Sequence, residues 1–238
     1  MIVIEHEAQV PVGEYGAWLP PHTVLRPSRG DALPERAQEP IVVLGGTMNA
    51  LADAEHPWLA PVRDLMADAV EREVPLLGIC LGAQMLAAAT GGEVVVSDPA
   101  GLELGVTDIR VTAAAAQDPL FAVMPERFQA LAAHSDGVRR LPAHGVLLAE
   151  SDRYTQAFRV GACAWGVQFH PEVDLPTFHR WARNDIGRHA DPSEENLRRI
   201  LLEAETRWAA MEQTSRTLAE RFGRIAAGTG TGAEGPRV

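Results

Sequence analysis

Lysine is absent from this sequence, and all 21 of its basic residues are arginine. The absence excludes a Schiff-base lysine, an attached pyridoxal phosphate and a lysine-dependent phosphate-binding loop. Cysteine is also scarce, and two residues in a chain of 238 do not make a disulfide framework. Positive charge is in deficit as well, and the net charge of −11 argues against nucleic acid as a direct ligand.

Long apolar runs are missing too, since none approaches the length of a membrane-spanning helix. The chain begins with apolar residues 1–4 and passes at once to Glu5, without the basic start or the cleavage site of a secretory leader. We therefore expect a cytoplasmic protein that does not contact membranes. The histidines show no convincing metal-ligand spacing, so we predict no metal, and we expect no other cofactor.

Short apolar runs alternate with a helical pattern in the first part of the chain. Residues 2–4, 24–25 and 41–44 are predicted strands, and residues 58–73 carry apolar side chains at helical spacing. This alternation indicates an α/β fold with a largely parallel sheet and helices on both faces. Between residues 94 and 169, several runs with short connections predict further strands, some of them antiparallel.

The last part of the chain is predicted to be helical. A helix start at Asp191 precedes apolar residues that recur every three or four positions from Leu197 to Ile225. This pattern predicts one or two amphipathic helices, which pack either on their own domain or on a partner. We divide the chain into a main domain at residues 1–190, a helical extension at residues 191–226 and a disordered tail at residues 227–238.

The segment Gly78–Gln84 follows an apolar strand and precedes a helical run, with Cys80 at the turn. Small residues on both sides of a cysteine suit a sharp turn, because glycine adopts unusual backbone angles and lets other backbone approach closely. The helix that follows directs free N–H groups at Cys80, which favours its thiolate form. The segment predicts a reactive thiol, with a buried structural cysteine as the alternative until a base is found.

The segment Gly166–Glu172 supplies the base that a cysteine nucleophile needs. His170 ends an apolar strand, because the proline that follows it cannot continue the ladder. Residues i and i+2 of an extended chain project to the same side, so Glu172 can accept a hydrogen bond from one nitrogen of His170. The sequence thus predicts a triad of Cys80, His170 and Glu172. The second cysteine, Cys163, is predicted to be structural.

An acyl-transfer site also needs donors for an oxyanion. The backbone N–H of Leu81, directly after the nucleophile, is one candidate donor. Gly45 and Gly46 follow a predicted neighbouring strand, and their loop is the candidate for the second donor. For these two glycines a plain strand-to-loop turn is the alternative.

Together the segments Gly78–Gln84 and Gly166–Glu172 resemble the two motifs of the class I glutamine amidotransferases, in the expected order. The resemblance covers residues 1–173 approximately, and is greatest to stand-alone proteins related to the amidotransferase domain of GMP synthase. It implies a flavodoxin-like, doubly wound three-layer fold, mainly parallel with antiparallel additions, for a catalytic domain at residues 1–190. It also implies that the thiol forms a γ-glutamyl thioester with glutamine, while the histidine protonates the departing ammonia and then activates water.

The resemblance extends to residues that would bind the substrate. Gln84 matches a position that contacts glutamine in the family. His134, Ser135 and Asp136 resemble the loop that contacts the α-amino and α-carboxyl groups, with a capped turn as the alternative. Beyond Val173 we find no ATP-pyrophosphatase domain, so the resemblance implies that any ammonia acceptor is a separate synthetase protein.

Three functions remain open at the level of the sequence. The first is a glutamine amidotransferase that passes ammonia to a synthetase partner. The second is a hydrolase of γ-glutamyl amides or peptides with the same fold, because both reactions proceed through the same thioester and differ on the leaving-group side. The third is a non-catalytic binding or regulatory protein. The acceptor, the true substrate and a homo-oligomeric state are also left open.

Overall fold

The computed structural model describes residues 1–228, which contain eleven β-strands and five α-helices. The strands are β1 (Ile2–Ile4), β2 (Thr23–Leu25), β3 (Ile41–Val43), β4 (Leu76–Ile79), β5 (Glu93–Val95), β6 (Glu103–Val111), β7 (Arg127–His134), β8 (Gly137–Arg140), β9 (Val146–Glu150), β10 (Thr155–Val160) and β11 (Ala164–Val167). The helices are α1 (Tyr15–Trp18), α2 (Leu59–Glu71), α3 (Leu81–Ala89), α4 (Leu175–Asp185) and α5 (Glu194–Gly228).

Nine strands form one sheet in the order β2-β1-β3-β4-β11-β10-β9-β6-β7. Neighbours from β2 to β11 are parallel, and neighbours from β11 to β7 are antiparallel. The remaining strands, β5 and β8, pair with each other in a small antiparallel sheet. The predicted α/β fold with a parallel sheet and antiparallel additions is confirmed, and the antiparallel half contains as many strand pairs as the parallel half.

The parallel strands are apolar on both faces because helices cover both faces. On β3, Ile41 and Val43 face a core shared with α2 and α3, whereas Val42 faces a second core shared with α1 and the end of α5. This alternation follows from the two-residue period of a strand. The result is the three-layer arrangement that the sequence predicts.

The long helix α5 is continuous from Glu194 to Gly228 and packs on the sheet. Its first half buries Leu197 and Ile200 in a core shared with α4 and β7, and its second half packs Phe222 against Trp165 of β11, with ring centroids 6.3 Å apart. Of the two predicted alternatives, the helix therefore follows the one in which it covers its own sheet. The boundaries at residues 190 and 226 stay predictions, and residues 229–238 of the predicted tail lie outside the described residues. No helix in residues 1–228 combines the length and hydropathy required to span a membrane.

Candidate active site

The parallel strands β3, β4 and β11 end at one edge of the sheet, where ligand sites of such folds form. A cleft of about 340 Å³ opens there. Seven residues that the sequence singled out line it: Gly46, Cys80, Gln84, His134, Ser135, Asp136 and His170. Of the other three, Glu172 lies behind His170, while Gly45 and Leu81 adjoin the residues of the cleft.

Cys80 occupies a strained elbow between β4 and α3. Its φ angle is 49°, in a region that residues with a side chain rarely adopt. The turn is compact because Gly82 lies against β3, where an added Cβ would be 2.1 Å from the carbonyl oxygen of Val43. The helix α3 begins at the next residue, Leu81, so its free N–H groups lie beside the thiol.

His170 and Glu172 form a buried pair next to this thiol. The Nδ1 atom of His170 lies 2.8 Å from Oε1 of Glu172, and both side chains are almost fully buried. Burial alone would lower the pKa of His170. The negative charge of Glu172 and the interaction with Cys80 outweigh that effect and raise the pKa above its usual value. The pair therefore favours an imidazolium beside the sulfur atom.

The loop after β3 packs against the side chains of His170 and Cys80. A Cβ atom added to Gly45 would lie 3.0 Å from Cε1 of His170 and 3.6 Å from Cβ of Cys80, so only a glycine leaves this approach open. The loop is anchored by Glu7, whose carboxylate accepts hydrogen bonds from the backbone N–H and the hydroxyl of Thr47. The geometry is compatible with an oxyanion site formed by the 45–46 loop and the start of α3.

Gln84 is linked to Cys80 through a second glutamine, Gln168, which was not among the predicted site residues. The Nε2 atom of Gln84 donates to the carbonyl oxygen of Asp136 (3.1 Å) and to Oε1 of Gln168 (3.2 Å). The Nε2 atom of Gln168 in turn lies 3.4 Å from Sγ of Cys80. The signal was available, because Gln168 lies two residues before His170 and extended residues at that spacing project to the same side.

The loop at residues 134–136 is stabilised by Glu103, a buried carboxylate that contacts His134. His134 donates through Nδ1 to the carbonyl oxygen of Asp136 (3.0 Å), while its Nε2 lies 3.1 Å from Oε2 of Glu103. Burial alone would raise the pKa of Glu103, but the interactions with His134, Ser151 and Arg153 lower it. His134 thus serves as an internal support of the loop, in addition to lining the cleft.

The mouth of the cleft contains residues of the C-terminal part that were not predicted as site residues. Trp181 packs its ring against His170 at a centroid distance of 4.7 Å, and its Nε1 donates to the carbonyl oxygen of Gln9 (2.9 Å). Asn184, Asp185 and Arg188 also line the mouth, at three, four and seven residues after Trp181. This is the spacing of one helix face, which a search of the sequence for helical periodicity could have found.

Two further sequence predictions concern metals and the second cysteine. Within residues 1–228, no group of three or more histidine, cysteine, aspartate or glutamate side chains is arranged to hold a metal ion. Cys163 precedes β11 and is half-buried. Burial, followed by the charge of Glu73, raises the pKa of its thiol. The residue is not among those that line the cleft.

Comparison with known protein families and sequences shows which family the chain resembles. The sequence profile of the family described as glutamine amidotransferase class-I matches residues 28–186. Similar proteins include the glutamine-hydrolyzing GMP synthase of Christiangramia forsetii, 37% identical over 136 residues, which are 56% of this chain and 24% of that protein. A glutamine-hydrolyzing GMP synthase of Methanocaldococcus jannaschii, which is named as one subunit of that enzyme, is 34% identical over 119 residues, which are 49% of this chain and 61% of that protein.

A third similar protein is named for a hydrolase activity and not for GMP synthesis. It is the gamma-glutamyl-L-1-hydroxyisopropylamide hydrolase of a Pseudomonas species, 32% identical over 105 residues, which are 42% of this chain and 36% of that protein. In all three cases the chain spans less than two thirds of the relative's own length.

Solved structures extend the similarity to most of the chain. A glutamine amidotransferase from Thermotoga maritima has a TM-score of 0.79 and 28% identity, covering 93% of this chain and 96% of that chain. A glutamine amidotransferase from Methylobacillus flagellatus has a TM-score of 0.82 and 26% identity, covering 100% of this chain and 97% of that chain. The structural similarity therefore reaches beyond the segment that the family profile matches.

Proposed function

Because the chain belongs to the class I glutamine amidotransferase family, and is GMP synthase-like within it, we propose that it hydrolyses the side-chain amide of glutamine through a thioester on Cys80. The single observation that carries this proposal is the convergence of the strained Cys80 elbow with the buried His170–Glu172 pair in one cleft. A nucleophile, a base and an orienting carboxylate are the groups that acyl transfer requires.

The proposed reaction begins with attack by the Cys80 thiolate on the amide carbon. The negative oxygen of the tetrahedral intermediate accepts hydrogen bonds from the Gly45–Gly46 loop and the N–H of Leu81. The C–N bond then breaks, and His170 transfers its proton to the departing nitrogen, which leaves as ammonia. Glu172 keeps the imidazole in the required orientation throughout.

The second half of the reaction releases glutamate. Neutral His170 removes a proton from water, and the resulting hydroxide attacks the thioester carbon. The C–S bond breaks, so the thiolate and the imidazolium are restored. Gln84 and the loop of His134, Ser135 and Asp136 hold the α-amino and α-carboxyl end of the substrate in this proposal.

The released ammonia passes to a separate synthetase in the proposal that we favour. The names of the relatives make a GMP synthase subunit the first partner to test. The second candidate function is hydrolysis of a γ-glutamyl amide without ammonia transfer. Two observations favour it, namely the Pseudomonas relative and a cleft of about 340 Å³ whose mouth is lined by Trp181 and Arg188, which leaves space for a leaving group larger than ammonia.

Purified protein should be assayed with glutamine and with γ-glutamyl amides of increasing leaving-group size, with and without the candidate synthetase subunit. We expect glutamine hydrolysis that the partner stimulates, and we expect Cys80→Ala to lose more than about a thousandfold in kcat/KM. Cys163→Ala is the matched control and should retain the rate of the unmodified protein. Rapid cleavage of a bulky amide with negligible glutaminase activity in every mixture would replace the first function by the second. No reaction of Cys80 with any of these substrates would refute both functions.

A further inference from the structure

A chain of buried polar groups leads from the substrate loop to the sulfur atom of the nucleophile. It consists of the carbonyl oxygen of Asp136, the side chain of Gln84 and the side chain of Gln168, and it ends at Sγ of Cys80. Its three contacts measure 3.1, 3.2 and 3.4 Å. Gln84 is 3% exposed and Gln168 is 2% exposed, so water does not compete for these contacts. We call this series the amide chain.

The direction of the amide chain is determined at its outer end. A backbone carbonyl oxygen can only accept, so the amide group of Gln84 must turn its nitrogen toward Asp136. The same nitrogen carries a second hydrogen, which points to Gln168. The side chain of Gln168 must therefore present its oxygen to Gln84 and its nitrogen to Cys80. If either amide were flipped, two donors or two acceptors would face each other inside the protein.

The carbonyl group that sets this direction is itself fixed. It also accepts the hydrogen bond from Nδ1 of His134, whose ring is held by Glu103. The backbone is equally constrained at the inner end. The strands β4 and β11 pair in parallel with Ile79 beside Val167, so the next residues along each strand, Cys80 and Gln168, come side by side. The N–H of Cys80 donates to the carbonyl oxygen of Val167 at 2.8 Å, which holds the two strand ends together.

An N–H group directed at sulfur distinguishes the two protonation states of the thiol. A thiolate is a strong acceptor of hydrogen bonds, whereas a neutral thiol is a weak one. The amide of Gln168 does not titrate, so it remains a donor in every step of the proposed cycle. His170, by contrast, loses its proton when it protonates the leaving group. The amide therefore supplies constant stabilisation of negative charge on sulfur.

We propose that Gln168 is a further catalytic residue of this site, because its amide N–H stabilises the thiolate of Cys80 and is oriented by Gln84 and the carbonyl group of Asp136. The proposal rests on the proposed role of Cys80 as the nucleophile. It assigns a second role to Gln84, which directs the amide of Gln168 as well as lining the substrate cleft.

The test is the rate at which iodoacetamide alkylates Cys80 as a function of pH, measured by mass spectrometry of the peptide that contains this residue. Alkylation requires the thiolate and no substrate. We expect Gln168→Met to lower the rate constant about tenfold at pH values below the alkylation midpoint, since a hydrogen bond to a charged group contributes about 1.5 kcal/mol or more. Gln168→Glu keeps the shape of the side chain and the acceptor for Gln84, but it lacks the N–H, so its rate should fall at least as far.

Gln129→Met is the matched control, because this glutamine lies near the surface of β7 and donates to Asp108, away from the cleft. Its alkylation profile should equal that of the unmodified protein. Unchanged profiles in Gln168→Met and Gln168→Glu, with thermal unfolding showing folded protein, would overturn the proposal. If Gln168→Met does not fold, Gln168→Leu takes its place as the uncharged variant, and an unchanged profile in Gln168→Glu would still overturn the proposal. Failure of the proposed function would be seen separately, as an absence of turnover in a protein whose alkylation still depends on Gln168.

Discussion

The inner and outer sides of the cleft are built in different ways. On the inner side, Cys80, Gln168 and His170 follow the ends of the adjacent strands β4 and β11, and each is less than 7% exposed. On the outer side, Arg188 and Trp181 belong to the segment around α4 and reach loops that are distant in the sequence, through single hydrogen bonds. The core of the protein therefore holds the groups that we propose to react, whereas side-chain contacts near the surface hold the mouth.

This difference suggests that the inner side carries the chemistry and the outer side selects the leaving group. Residues of the inner side cannot move without disturbing a sheet that is covered on both faces, so we expect changes at mouth positions that do not contact them to leave the chemistry unchanged. Trp181 is the exception, because its ring packs against His170. We expect exposed residues of the outer side to be exchangeable at low cost in stability. Three predictions test this comparison, in order of decreasing effect.

The largest effect on stability is expected from a methyl group added on the inner side, compared with one added near the mouth. In Gly82→Ala the new Cβ would lie 2.1 Å from the carbonyl oxygen of Val43, which is a backbone atom that cannot turn away. We expect a loss of about 4 kcal/mol in the free energy of unfolding, measured by urea denaturation. Gly187→Ala, next to the mouth residue Arg188, is the control, since apart from its chain neighbours no atom lies within 4 Å of the added Cβ, and it should change stability by less than about 0.5 kcal/mol. Equal effects at the two positions would contradict the comparison.

The next effect is expected on the inner side when the pH is lowered, because of His6, which lies just beyond β1 and behind the 45–46 loop, 3.5 Å from a Cβ added to Gly46. The side chain of His6 is 1% exposed, and neither ring nitrogen has a hydrogen-bond partner among the described residues. Burial lowers the pKa of His6 from 6.5 to about 4. Between these values the unfolded chain binds more protons, so stability is complete above pH 6.5 and is lost as the pH falls toward 4. The loss from this residue should reach about 3 kcal/mol.

The measurement is the free energy of unfolding from pH 7 to pH 4 for the unmodified protein and for His6→Met. The substitution should remove this part of the slope, because it leaves no titrating group at the buried position. Titration of His170 does not contribute to the slope below pH 6.5. Its pKa is raised, so its contribution is complete below 6.5 and is lost only as the pH rises above that value. An identical slope in His6→Met below pH 6.5 would show that other groups cause the acid sensitivity.

Much of the inner side could be predicted from the sequence because it depends on local features. The Gly78–Gln84 turn and the two-residue spacing of His170 and Glu172 are visible in a string of letters, and apolar runs identify buried parallel strands. The orientation of Gln168 toward Cys80 could not be predicted in the same way. It requires the register between β4 and β11 and the position of the Asp136 carbonyl group, neither of which is a local property.

The outer side was harder to predict because distant segments form it. Outside the cleft lining, the strand β8 (Gly137–Arg140) was not predicted either, because it has two exposed arginines and only one buried apolar side chain, Val138, and so lacks the alternation that predicts a strand. Trp181 shows helical spacing with Arg188, but only the folded chain reveals that this face of α4 meets His170. Long-range packing, rather than propensity, decides these contacts.

The smallest effect is expected from Arg188, which lines the mouth and donates from Nη2 to Oγ of Ser135 at 2.5 Å. Arg188→Ala should raise KM for the substrate about fivefold and leave kcat unchanged, because a hydrogen bond of this kind contributes about 1 kcal/mol and lies away from the reacting atoms. Arg183→Ala is the matched control, since Arg183 is exposed on α4, just before this segment, and donates to the carbonyl oxygen of His179 within its own helix. Steady-state kinetics and the alkylation rate of Cys80 should be measured on both variants. A slower alkylation rate or a lower kcat in Arg188→Ala would mean that the mouth and the nucleophile are coupled, and the division between the two sides would then fail.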